Sequence, residues 1–198
     1  MNSHSDICII GNGAIGKTAA LGFAQAGASV TLIETPPAAV VRPPAADGEW
    51  DLRVYALNPL AQSLLARIKV WDALDAARVT TVDGMVVSGD HEKYPGQIAF
   101  DAYGARVGAL AYVVEDRNLN QALDTALKFS ASVRRVQCAA CALATDAAGG
   151  VVRLADGDSV QAELIIGADG GHSWVRAQAH RLRLPSLWTE CDRDHLSG

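Results

Sequence analysis

Three glycines, at positions 11, 13 and 16, constrain this chain more than any other feature, because they sit between an apolar run and a helix-forming one. Asp6-Ile-Cys-Ile-Ile10 has no polar alternation, which suits a parallel strand buried on both faces. Gly11-Asn-Gly-Ala-Ile-Gly16 follows without a gap. Lys17-Thr-Ala-Ala-Leu-Gly-Phe-Ala-Gln-Ala26 is rich in helix formers, and Gly27 ends it. Ala28–Glu34 reads as a second strand that closes on an acid. Strand, glycine turn, helix and strand within about 30 residues make one βαβ unit. The expected class is therefore α/β, with a Rossmann-like parallel sheet.

Two ligand chemistries share the turn. Gly11-x-Gly13-x-x-Gly16 is the dinucleotide fingerprint: Gly11 allows the tight turn, Gly13 leaves room for a pyrophosphate, and Gly16 lets helix and strand pack closely. Small Ala20 keeps that helix against the sheet. Glu34, at the carboxyl end of the second strand, is placed to accept both ribose hydroxyls. Gly11-Asn-Gly-Ala-Ile-Gly-Lys17-Thr18 also matches the phosphate loop of nucleotide triphosphatases, with Lys17 for the terminal phosphates and Thr18 for Mg²⁺. Both readings put backbone N–H groups at a helix N-terminus. The triphosphatase reading needs a later apolar strand ending in an acid. Leu164-Ile-Ile-Gly-Ala-Asp169 supplies one interrupted by Gly167 and Ala168. A glycine turn without a ligand is the third reading.

The chain has 198 residues, enough for one large domain or one domain and part of another. Apolar residues make up 49 % and charged ones 20 %, which excludes wholesale disorder. Seventeen Lys and Arg against 22 Asp and Glu give a net charge of −5, which argues against a nucleic-acid partner. No run reaches the ~18 apolar residues of a membrane span. Ile7–Ile10 is too short for a signal-peptide core, so a cytoplasmic location is expected. Four cysteines do not make a disulfide framework in a chain this long.

Residues 35–50 hold four prolines and read as a loop. Val54–Val70 reads as a helix with Asn58-Pro59 in its first turn, extended by Trp71–Leu74. Short strand-like runs at Val82, Met85–Val87, Ile98–Phe100 and Leu110–Val114 suggest an insertion with its own antiparallel sheet. Arg117–Phe129 is helical again, and Val133–Val136 is a strand. Ala140–Thr145, Val151–Leu154 and Ser159–Gln161 suggest a meander turning at Gly149-Gly150 and Asp156-Gly157-Asp158. Glu163–Gly167 returns to the buried-strand style. The expected division is 1–75 and 116–176 for the cofactor-binding domain, 76–115 for the insertion, and 177–198 for a tail without pattern. Cys138-x-x-Cys141 has no second pair at metal-site spacing, and packed or half-buried thiols are expected. His172 is expected in a surface turn, and Trp50 and Trp71 in packing roles.

Three further segments sharpen the reading: Asp51-Leu-Arg53-Val-Tyr-Ala-Leu57, Leu110-Ala-Tyr-Val-Val-Glu-Asp-Arg117-Asn-Leu119, and Gly167-Ala-Asp169-Gly170-Gly-His-Ser173-Trp-Val-Arg176. With the glycine turn they resemble the class A flavoprotein aromatic hydroxylases, the fold of para-hydroxybenzoate hydroxylase. Within that class they are most similar to the branch that hydroxylates ubiquinone precursors. The resemblance covers residues 5–176, which answers to about the first half of a family member. It implies FAD as cofactor, with Gly11, Gly13 and Gly16 on the pyrophosphate and Glu34 on the adenosine ribose. It further implies Arg53 near the flavin phosphates, Arg117 reaching the cofactor, and Asp169-Gly170 serving FAD and NAD(P)H together. Ser173 and Arg176 complete that last signature structurally. The implied activity is monooxygenation of a phenol or polyprenyl-phenol by NAD(P)H and O₂, with membrane-peripheral or complex association. No catalytic side chain is required of this segment, since the chemistry belongs to the flavin.

Two departures stand beside the resemblance. Asn12 replaces a small residue, and the family's third signature, a Gly-Asp segment, has no counterpart. The loss of pattern in Ala177–Gly198 leads to the expectation of a truncated or frameshifted reading frame. The alternatives are another FAD-dependent oxidoreductase such as a dehydrogenase or halogenase, an inactive fragment, and the triphosphatase.

Overall fold

A computed structural model describes residues 2–36, 50–89, 96–146 and 149–179. The opening unit is realised as β1 (Asn2–Ile10), α1 (Ala14–Gln25) and β2 (Val30–Ile33). There follow β3 (Val54–Leu57), α2 (Pro59–Arg67), β4 (Val79–Val82), β5 (Gly84–Ser88), β6 (Gln97–Asp101) and β7 (Ala111–Glu115). The chain continues with α3 (Asp116–Lys128), β8 (Val133–Val136), β9 (Ala140–Asp146), β10 (Gly149–Leu154), β11 (Ser159–Gly167) and α4 (Trp174–Gln178).

The main sheet has six strands in the order β8-β2-β1-β11-β10-β9. Its first four are parallel, and β10 and β9 extend it antiparallel. The central β1 is buried on both sides. Ile7 and Ile9 face a core shared with Leu21 and Ala24 of α1 and Leu119, Leu123 and Leu127 of α3. Cys8 and Ile10 face a second core with Ile33, Val152, Val160 and Ala162. This two-faced burial is why β1 carries no polar alternation. Asp6 fastens the middle of β1 to the residue before β2: its carboxylate accepts from the Ser29 backbone N–H at 2.7 Å and from the Ser29 hydroxyl at 2.8 Å. Those bonds hold its pKa below the ordinary carboxylate value.

A smaller antiparallel sheet, β3-β7-β4, packs onto the first core through Val114 of β7, with Tyr55, Leu57 and Val79 at its margin. β5 and β6 form a two-stranded ribbon in which all ten residues are exposed, including Val86, Ile98 and Phe100.

The helix expected over Val54–Val70 divides in two. Val54–Leu57 pairs antiparallel with β7, Val54 opposite Glu115. The helix starts at Pro59, where a missing N–H costs nothing, and Asn58 caps it by accepting from the Ala61 N–H at 2.8 Å. Ser159–Gln161 and Glu163–Gly167 form one continuous strand, because β1 runs back to Asn2 and pairs along its whole length. Among the described cysteines, Cys8 is buried, Cys138 half-buried and Cys141 exposed, all as thiols. The expected loop over 35–50 and tail over 177–198 lie mostly outside the described residues, as does Cys191.

Candidate functional site

The carboxyl ends of β8, β2, β1 and β11 meet at one edge of the main sheet. The Gly11 N–H donates to the Ile33 carbonyl at 3.0 Å, the Ala168 N–H to Ile10 at 2.7 Å, and the Glu34 N–H to Val136 at 2.8 Å. Gly11, Glu34 and the Asp169-Gly170 turn are therefore neighbours, at the place where open parallel sheets take their ligands.

The three glycines have three different surroundings. Gly11 has φ +123°, and a Cβ there would run into the Ala168 carbonyl. A Cβ on Gly16 would strike the Gly11 carbonyl. Around a Cβ on Gly13, by contrast, there is nothing within 4 Å. Gly13 is also the N-cap of α1, which has no side-chain cap bond and no acid in its first turn. Uncapped N–H groups and the positive end of a helix dipole thus face open space beside a residue without a side chain, which fits a pyrophosphate.

Lys17 points away from that space. Its side chain is 8 % exposed, and its Nζ donates to Asp124 Oδ2 at 2.7 Å and to Asn120 Oδ1 at 3.1 Å, both on α3. A phosphate-loop lysine must reach over the loop. This one is committed to the neighbouring helix, and the triphosphatase reading falls on that ground.

Glu34 is buried, and its Oε1 accepts from Arg135 Nε of β8 at 2.6 Å. Arg135 also donates through Nη2 to Asp124 Oδ1 at 3.0 Å. The hydrogen bond to Glu34 leads the causes that raise the Arg135 pKa above its ordinary value.

Arg53 immediately precedes β3 and Arg117 lies at the start of α3, both with exposed side chains. Asp51 joins them: its Oδ1 accepts from the Arg53 backbone N–H and its Oδ2 from that of Arg117, each at 3.1 Å. The Asp116 N–H donates to the Arg53 carbonyl at 2.9 Å. Tyr55 donates to Asp116 Oδ1 at 2.6 Å, and burial followed by this bond raises its phenol pKa. Asn120 donates to the same Asp116 oxygen at 2.8 Å, so a polar chain runs from β3 through α3 to Lys17.

In the last turn Asp169 works on its own backbone. Its Oδ1 accepts from the Ser173 hydroxyl at 2.5 Å and its Oδ2 from the Val175 N–H at 3.0 Å. Ser173 caps α4, and the Arg176 guanidinium donates to the Gly171 carbonyl. Gly170 has φ +88° with open space around it, and His172 is exposed on the turn. Gly11, Gly13, Gly16, Glu34, Asp169 and Gly170 thus gather at one edge, while Arg53 stands just before β3 of the neighbouring sheet and Arg117 in the first turn of α3. Sequence reasoning missed Asp51, Asp124 and Arg135, whose partners are set by tertiary packing. The Asp51-x-Arg53 pattern was the signal available for the first of them.

A glycine turn opening onto an uncapped helix, flanked by an acid at the end of the second strand, defines a dinucleotide-binding α/β domain. Residues 4–184 match the family described as FAD binding domain. The chain belongs to that family, and its kinship to the class A flavoprotein aromatic hydroxylases is borne out by its relatives. It is 36 % identical to 3-demethoxyubiquinol 3-hydroxylase of Escherichia coli (strain K12) over 179 residues, 90 % of this chain and 44 % of that protein. It is 33 % identical to ubiquinone hydroxylase UbiL of Rhodospirillum rubrum, over 88 % of this chain and 39 % of that one. The chain spans about two fifths of the length of these relatives. The p-nitrophenol 4-monooxygenase PnpA of Pseudomonas putida DLL-E4 shares the fold, with a TM-score of 0.67 at 19 % identity over 90 % of this chain and 44 % of that one.

Proposed function

We propose that this chain is the FAD-holding part of a monooxygenase that hydroxylates an aromatic ring, with a ubiquinone precursor, a polyprenyl-phenol, as substrate. The observation that carries the reading is the open, uncapped helix N-terminus at Gly13 between two glycines that packing locks in place. The relatives' hydroxylase names support the choice of reaction. In this reading Gly11, Gly13 and Gly16 present backbone N–H groups to the pyrophosphate, and Glu34 accepts from the adenosine ribose. Arg53, just before β3, and Arg117, in the first turn of α3, offer positive charge to the cofactor. The Asp169-Gly170 turn closes over it, Gly170 leaving the backbone open to close approach. The flavin, when bound, supplies the redox chemistry with O₂ and with NAD(P)H as reductant. Residues 76–115 belong to the substrate side, and residues 1–75 with 116–176 to the cofactor side. Among the described residues no helix is long and apolar enough to cross a membrane. Work at the membrane periphery or in a biosynthetic complex belongs to the same proposal.

The test is an FAD titration of the purified chain followed by flavin fluorescence. Saturable binding is expected, with ATP a poor competitor. Gly13→Val, which fills the open space, weakens it about tenfold or more. A folded chain that ignores FAD overturns the reading.

A further inference from the structure

Four charges of alternating sign run across the base of the site. Lys17 meets Asp124 at 2.7 Å, Asp124 meets Arg135 at 3.0 Å, and Arg135 meets Glu34 at 2.6 Å. The two ends are the deepest members: the side chains of Lys17 and Glu34 are 8 % and 5 % exposed, those of Arg135 and Asp124 30 % and 35 %. Buried charges of this kind persist where they are paired and hydrogen-bonded, and removing one partner is far more costly than the pair is worth. Asp124 spends both oxygens on the relay, Oδ2 on Lys17 and Oδ1 on Arg135.

The relay has a direction. Lys17 follows Gly16 in α1, immediately behind the glycine turn, and Glu34 stands at the end of β2. The two points that would grip a dinucleotide, the pyrophosphate turn and the ribose acid, are therefore tied together by side chains as well as by the sheet. Arg135 holds Oε1 of Glu34, and among the described residues no donor is placed on Oε2. A planar guanidinium bridging two carboxylates fixes both orientations, which a point charge does not.

We propose that Lys17, Asp124 and Arg135 are positioning residues for the adenosine ribose, holding the Glu34 carboxylate in one orientation with its second oxygen turned to the ribose hydroxyls. The inference rests on the reading of Glu34 as the ribose acid, and it extends that reading to three residues that touch no ligand.

The experiment is competition of ADP and 2′-deoxy-ADP against bound FAD, read as the ratio of the two affinities. The wild-type chain prefers ADP by about tenfold, the value of one hydrogen bond to a charged group. Glu34→Gln reduces that preference to near unity. Arg135→Gln and Lys17→Met reduce it to about two- or threefold, and Arg135→Lys, which holds one carboxylate at a time, falls between. In the Glu34→Gln background, Arg135→Gln changes the ratio no further. A relay that is only structural weakens both nucleotides equally and leaves the ratio at its wild-type value, which overturns the inference while the ribose role of Glu34 stands. A wild-type chain that does not distinguish the two nucleotides, or that does not bind FAD, overturns the ribose reading and the relay together. Circular dichroism checks each fold. Lys17→Met, which leaves the Arg135–Glu34 pair in place, carries the test if Arg135→Gln does not fold.

Discussion

Lys17 stands beside Gly16 in a stretch that two chemistries share, and its side chain decides between them. Nothing local could reveal that decision, since its partner Asp124 lies 107 residues further along. The three glycines were legible because each role is a backbone property that follows from spacing alone. Glu34 was legible by position, but its burial against Arg135 was not. Cys8 shows the opposite case, an apolar residue in an apolar run whose environment the run already describes. Burial raises its thiol pKa to about 12, so almost no thiolate exists at neutral pH. In the native chain at pH 8, Cys8 is expected to resist alkylation while exposed Cys141 reacts. Peptide mapping by mass spectrometry distinguishes them, and labelled Cys8 in folded protein contradicts the buried strand.

Among the elements, β1, α1, β2 and α3 were readable from period and composition. Their apolar faces meet across the main sheet, so pattern and packing agree. Val54–Leu57 was not readable. Four residues before a helix carry too little periodicity to separate strand from first turn, and the pairing with β7 that settles it comes from far along the chain. The residue that marks the true boundary is Asn58. Asn58→Ala removes the acceptor for the Ala61 N–H and is expected to cost about 1 kcal/mol. Asn58→Asp keeps an acceptor and costs little. Urea unfolding of the two variants measures the difference, and equal midpoints would remove the cap from the account.

At the scale of the molecule, the two larger sheets are bound by one core. Val114 of the second sheet, Leu123 of α3 and Ile9 of the first belong to the same buried cluster. Leu123 is fully buried, and Leu123→Ala is expected to cost about 2–5 kcal/mol. Because the core is shared, near-ultraviolet and far-ultraviolet signals lose their structure in a single transition. Separate transitions for the two would break the core into independent parts.

The partner of β1 carries a consequence for the order of events. Asn2 pairs with Ser159 and Ile10 with Gly167, so β1 joins its second neighbour only after nearly all the described chain exists. Closing so wide a loop is a slow kind of contact, since chain entropy is spent before the pairing repays it. At a synthesis rate of about 5–20 residues per second, the exposed edge of β1 is left open for roughly ten to thirty seconds. Its four successive apolar residues, Ile7 to Ile10, are without that partner for the same interval.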